Sequence, residues 1–204
     1  MKVYDISSPI YTGMPVYKNK PEKQPALTTN TNGYVTETRL ELDVHTGTHV
    51  DAPLHMIVDG ETIETLPLER LVGPCKVFDL TSVEERIKKE DIAHLDIQKD
   101  DFILFKTKNS FDEEFNFDFV FVAEDAAHYL AEIGISGVAV DALGIERSQE
   151  GHPTHKTLFN NNVIIIEGLR LKDIEEGSYI MVAAPLKLSG VDASPARIVL
   201  LDMN

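Results

Sequence analysis

Alternation of apolar and polar positions dominates this chain, and that two-residue period predicts strands. Residues 2–6 read as a first strand. Residues 35–45 follow with Leu40, Leu42 and Val44 on one face, a half-buried strand that delivers His45 at its end. Further strands are expected at 74–80, 101–107, 119–122, 137–141, 163–166, 179–184 and 197–201. Helical spacing is rarer. It is clearest at 123–133, where Ala127, Leu130 and Ile133 share a face and Gly134 supplies the stop. Short helices are expected at 81–87 and 89–94. A loop at 7–25 carries Pro9, Gly13, Pro15, Pro21 and Pro25, and Asp59-Gly60 marks a turn before an irregular or briefly helical stretch at 63–71. Many short strands with few helices imply an α/β fold with mixed strand pairing.

The chain has 204 residues and is 43% apolar, enough for one cored domain spanning 1–204. No stretch approaches the roughly 18–20 consecutive apolar residues of a membrane span, and the first residues lack the apolar run of a signal peptide. Cys75 stands alone, which excludes an intrachain disulfide and a cysteine zinc site, and points to the cytoplasm. It reads as a small core residue. The net charge of −15 is dispersed and argues against nucleic acid or anionic membrane as partners. A small molecule remains as the ligand class.

The chemistry concentrates in one stretch, His45-Thr46-Gly47-Thr48-His49-Val50-Asp51-Ala52-Pro53-Leu54-His55, with the pattern H-x3-H-x-D-x3-H. Imidazole and carboxylate are the donors that Zn²⁺ and similar dications take. A zinc-protease helix is excluded, because Thr, Gly, Val and Pro are weak or disruptive helix formers and the Glu of H-E-x-x-H is missing. In an extended strand His45 and His49 would lie roughly 13 Å apart, too far for one ion. The chain must bend between them, and Gly47 permits the bend. His49 and Asp51 then share a face of a short extended run. Solvated loop histidines are the alternative, at odds with three histidines and an aspartate this dense.

A second histidine pair, His152 and His155, precedes the apolar run 163–166, which ends in Glu167. Glu167 is either a surface residue at a strand end or a buried ligand, and the nearby histidines favour the ligand. Asp141 and Glu146 project from another strand end, where sites are often built. With His152 they are candidates for orienting ligand imidazoles. Met14, Val16 and Tyr17 offer an apolar wall for a substrate, or simple core packing. The rings of Phe111, Phe115 and Phe117 offer a pocket lid, a partner contact or core. His94 and His128 read as structural.

The run from His45 to His55 resembles the signature of the cyclase family of metal-dependent hydrolases, which includes bacterial kynurenine formamidases and isatin hydrolases. The loop around Met14-Pro15, Leu71-Val72-Gly73-Pro74 and Glu167-Gly168-Leu169 agree with it. The resemblance implies a swivelling β/β/α-type domain with a mixed sheet, assembled as a homodimer or homotetramer. It implies that His45, His49 and Asp51 hold a first metal, with Asp51 bridging to a second. His155 would hold that second metal, Glu167 would be shared between the two, and His55 would be the catalytic acid/base. The cofactor would be Zn or Mn, one or two per chain. The implied reaction is hydrolysis of a small-molecule C–N amide bond by metal-activated water, an arylformamidase converting N-formylkynurenine to kynurenine and formate. An isatin-like lactam or lactone hydrolase using Mn, and a non-catalytic metal- or ligand-binding module, are the alternatives. Formamidases of this family carry a Trp in the early loop; here the stretch is Met14-Pro15-Val16-Tyr17, so Met14 and Tyr17 are the candidate substrate contacts.

Overall fold

A computed structural model describes residues 1–203. Strand β1 (Lys2–Asp5) leads into the proline-rich loop, then a hairpin of β2 (Ala26–Asn32) and β3 (Val35–Glu41). The short β4 (His49–Asp51), β5 (Val72–Asp79), β6 (Arg86–Ile87) and helix α1 (Lys89–Ile92) follow. Next come β7 (Phe102–Lys106), β8 (Phe121–Val122), α2 (Glu124–Ile133), β9 (Gly137–Val140) and α3 (Pro153–Asn160). The chain then runs through β10 (Ile164–Glu167), β11 (Gly177–Pro185) and β12 (Ala193–Asp202). The main sheet has eight strands in the order β1-β12-β11-β5-β7-β9-β10-β4, and β4 also pairs with β12, so the sheet closes on itself. Pairs β5–β7, β7–β9 and β9–β10 are parallel and the others antiparallel, which makes this the mixed α/β architecture expected.

Two cores lie on opposite faces of that sheet, and the strand period assigns residues to them. Leu104, Ala139, Ile164 and Ile166 point inward with Val50, Met181, Ile198 and Leu200. Their neighbours Ile103, Phe105, Val138, Val140 and Ile165 point outward, where Ala126, Ala127 and Leu130 of α2 and Leu158 of α3 cover them. Cys75 is buried in the inner core, where desolvation pushes its thiol up to about 12, as a structural residue requires. Helix α2 ends at Gly134, which adopts φ 80°.

Two expectations are corrected, and one helix was not expected. The strand at 35–45 stops at Glu41 and is exposed on both faces, so Leu42 and Val44 lie in the bend beyond it and the strand does not deliver His45. The alternation there reflects a free hairpin whose partner, Ala26–Asn32, is almost wholly polar. No helix forms at 81–87. The Asp79 carboxylate accepts from the Thr81 amide (3.0 Å) and hydroxyl (2.6 Å) and holds a turn, and Arg86–Ile87 pairs in parallel with Phe121–Val122. The helix at α3 has little sequence signal, because Pro, Thr and His fill its first turn. It forms with Pro153 at its start and buries Leu158 and Phe159.

Gly168 sits at φ +73°, and a Cβ there would drive into the carbonyl of Gly47. The left-handed conformation costs a non-glycine residue roughly 1–2 kcal/mol, and overpacking adds roughly 1–3 kcal/mol. Gly168→Ala is therefore expected to lose about 2–5 kcal/mol in urea denaturation. Gly73→Ala, where a Cβ meets open space, is expected to be near neutral.

Candidate active site

The bend at 43–48 is built by local hydrogen bonds. Asp43 accepts from the amides of His45 (2.9 Å, at Oδ1) and Thr46 (3.0 Å, at the carbonyl), and the Thr46 hydroxyl reaches the same carbonyl at 2.6 Å. Gly47 then turns the chain at φ +62°. The rings of His45 and His49 come to 5.0 Å between centroids. Beyond the bend, β4 is pinned between β10 and β12, with Glu167 directly opposite His49 and Ile165 opposite Asp51. Residues opposite one another share a sheet face, and this is the outer face, where α3 lies. Helix α3 brings His155 onto it.

Five expected ligand residues meet here. Asp51 Oδ1 is 3.0 Å from His45 Nδ1 and 3.3 Å from His49 Nε2, which is also 3.3 Å from Glu167 Oε2. His155 Nε2 is 3.7 Å from Asp51 Oδ2 and 3.4 Å from Glu167 Oε1. Other hydrogen bonds orient the rings. His49 Nδ1–H donates to the Gly47 carbonyl at 2.9 Å, which turns Nε2 toward the carboxylates as the atom that can give its lone pair to a cation. His155 Nδ1 faces Glu146 Oε1 at 3.2 Å, so its Nε2 points the same way. His49 Nε2, His155 Nε2 and both Asp51 oxygens are buried without a hydrogen-bond partner. Lone pairs of nitrogen and oxygen aimed at one another in a buried space fit a shared cation, and His49, Asp51 and Glu167 form one such group.

The electrostatics match. Burial opposes charge on His49, but the Asp51 and Glu167 carboxylates outweigh it and raise its pKa to about 10. Burial likewise opposes charge on His155, and Asp51, Glu146 and Glu167 raise it well above the ordinary imidazole range. Burial and the Asp51 charge push Glu167 up, yet hydrogen bonding to His155 and His49 holds it at about 2. Asp51 is also held low by the imidazoles around it, against its burial.

His55 stands at the solvent side of the cluster, on the turn Pro53–His55, with its ring 4.1 Å from that of His45 and 5.6 Å from that of His155. Burial lowers its pKa, the opposite direction to the other site histidines. Among the expected orienting residues, Glu146 does contact the imidazole of His155, an expected ligand. It also accepts from the amides of Thr154 (2.9 Å) and His155 (3.3 Å) and lies 2.5 Å from His152 Nδ1. His152 therefore meets the cluster at its edge, through Glu146 and through an edge-on contact with the His155 ring, 6.3 Å between centroids. Asp141 does not reach it. Its carboxylate accepts from Thr107, Asn109 and Ser110 and ties down the loop after β7. Asp192 was not foreseen, although it bonds both His45 and His55. It lies 147 residues from His45, in a loop with no local signal.

A cavity of about 370 Å³ adjoins the bend at Gly47 and Gly168 and is lined by none of the five expected ligand residues. Met14 lines it, beside Tyr11, Phe115 and Arg170. Tyr17 does not; its ring packs edge-on against Phe115, 5.4 Å between centroids. Phe111 and Phe117 are exposed.

Comparison with known proteins gives a consistent set. The family described as "Putative cyclase" matches residues 4–147. The chain is 36% identical to the kynurenine formamidase of Salinibacter ruber, covering 99% of this chain and 98% of that protein. It is 30% identical to the kynurenine formamidase of Erythrobacter litoralis, covering 99% and 94%. A solved structure of a "predicted metal-dependent hydrolase" from Bacillus stearothermophilus is 72% identical, with a TM-score of 0.92 over 98% of this chain and 97% of that one. Isatin hydrolase A of Labrenzia aggregata, at 22% identity and a TM-score of 0.85 over 98% and 93%, shares the fold.

The raised His49 pKa predicts the alkaline behaviour of metal-stripped protein. A group raised from 6.5 to about 10 stabilises the fold fully below pH 6.5, and that contribution disappears as pH climbs to about 10. Glu167, depressed from 4.5 to about 2, contributes above pH 4.5 and loses its effect as pH falls toward 2. Urea denaturation of metal-stripped protein is expected to show both slopes. The alkaline slope should shrink in His49→Gln; an unchanged slope there would contradict the charge assignment.

Proposed function

The chain belongs to the cyclase family and is a hydrolase, and on that premise we propose that it cleaves the C–N bond of a small formamide, with N-formylkynurenine as substrate. The observation that carries this reading is the buried convergence of His49, Asp51, His155 and Glu167, with unpartnered donor atoms facing inward. Full-length similarity to kynurenine formamidases supports the substrate class.

His45, His49 and Asp51 would hold one dication, and His155 with Glu167 and Asp51 a second. Their nitrogen and carboxylate donors suit Zn²⁺ or Mn²⁺, one or two per chain. Such a cation, when bound, acidifies water and polarises a carbonyl oxygen. Asp51 and Glu167 offset its charge and fix the imidazoles. His55 accepts the proton of the attacking water and returns it to the leaving nitrogen, a role suited to an imidazole whose pKa is not raised. Met14 lines the adjoining cavity and would contact substrate there, with Tyr17 backing the wall through Phe115.

Among the described residues no helix is long and apolar enough to cross a membrane. The lone buried Cys75 suits a reducing compartment, and we place the protein in the cytoplasm as a homodimer or homotetramer. The exposed hairpin supports self-association. It presents the paired Leu27 and Leu40, with Val35 and the fully exposed Tyr34, on a surface that the main sheet does not cover.

His55→Ala is expected to retain metal and lose turnover by roughly 10²–10⁴-fold, the usual worth of a positioned acid/base. His49→Ala should lose both metal and turnover. Normal hydrolysis by the His55 variant would remove that residue from the mechanism. Assay of metal-loaded protein with N-formylkynurenine, isatin and simple lactones should give formate release from the first at the highest rate. Preferential opening of isatin would instead support the lactam reading.

A further inference from the structure

Asp192 ties together two histidines that have different jobs. Its Oδ2 lies 2.9 Å from His45 Nε2 and 3.4 Å from His55 Nδ1. The two rings lean over one another at 46°, so a single carboxylate oxygen closes a wedge of two imidazoles. We infer that Asp192 is a positioning residue that sets the tautomer and orientation of both rings at once, His45 as a ligand and His55 as a base. This rests on the hydrolase reading above and extends it to a residue outside the H-x3-H-x-D-x3-H run.

Hydrogen-bond chemistry carries the inference. Oδ2 of an ionised carboxylate can only accept, so each facing ring nitrogen must carry its proton. His45 then keeps Nε2–H on Asp192, and Nδ1, 3.0 Å from Asp51 Oδ1, is the atom that would give its lone pair to a bound cation. His55 has Nδ1–H on Asp192 and its lone pair on Nε2, free to take a proton from water. When it does so, the ring becomes imidazolium, and its Nδ1–H stays on the carboxylate that offsets the new charge. No proton passes to Asp192, and the one held on Nε2 leaves with the amine nitrogen. The logic is that of the aspartate in a serine-protease triad, here shared with a metal ligand.

The backbone holds Asp192 in place. Its carbonyl accepts from the Ala52 amide at 2.9 Å, the Val191 carbonyl accepts from Ile63 at 3.0 Å, and Ala193 pairs with Asp51. The Gly190 amide donates to Glu64 Oε1 at 2.9 Å. The loop before β12 is therefore fixed against the histidine run and against the segment that follows it. Being half-exposed, the Asp192 side chain can be changed without opening the core.

The test uses Asp192→Asn and Asp192→Ala in the full chain, with folding checked by circular dichroism. Metal-stripped protein is titrated with Co²⁺ and followed by visible absorption, and kcat and KM are measured with N-formylkynurenine. Co²⁺ affinity is expected to fall roughly 10–100-fold in both variants, with an altered absorption envelope. The kcat should fall by a similar factor while KM stays near that of the unmodified protein. A Co²⁺ affinity equal to the unmodified protein's, or an unchanged kcat, in either folded variant overturns the inference. Failure of the unmodified protein to take up Co²⁺ would instead overturn the metallohydrolase reading, and this inference with it.

Discussion

Everything in the site depends on the pairing of β4 with β10. Three residues of β4 sit between β10 and β12, and the register sets Glu167 opposite His49. A slip of one residue would turn His49 and Asp51 into the inner core and put Val50 on the outer face. The hydrophobic demand of Val50 and Ile166 for that core therefore holds the polar residues in place. The burial that fixes the register also removes water from the imidazoles and carboxylates, and this strengthens their mutual attraction.

Such a cluster is costly for a fold to carry. Buried carboxylates and imidazoles with no hydrogen-bond partner are destabilising unless something shares their lone pairs. The chain meets part of that cost with local bonds: Gly47 to His49, Ile145 to Glu167 and Glu146 to His155. Each fixes the far side of a ring or carboxylate and leaves the near side aimed inward. The Gly47–Gly168 seam performs a related task. Both glycines take left-handed conformations, and their backbones touch where a side chain would hold them apart. The Thr48 hydroxyl also donates to the Gly168 carbonyl, at 2.5 Å, and joins the bend to the end of β10.

The distribution of exposure divides the labour. His49, Asp51, Glu167 and His155 lie deep, whereas His45, His55 and Asp192 lie toward solvent. A buried cluster of imidazole and carboxylate groups with an open edge suits a site that a small molecule enters from one side. The shifts set His55 apart from the rest: carboxylates raise His45, His49 and His155, whereas burial lowers His55.

The sequence by itself determined the mixed α/β class, most strands, the helix ending at Gly134 and the dense histidine run. Those signals are local: a two-residue period, a glycine stop, donors within eleven positions. The bend at Gly47 was legible for the same reason, since no extended chain can bring His45 to His49. What only the tertiary structure decided were contacts between distant segments. The α3 helix became a helix because the outer core buries Leu158 and Phe159, not because its residues favour one. The strand expected to carry His45 ended early because its alternation served a free hairpin, and nothing in one strand's pattern says whether a core lies beneath it. Asp141 went to a loop and Asp192 to the site, although both are aspartates beside strands. A lone carboxylate carries no spacing to read; its partners are set by which strands lie side by side once the sheet has closed.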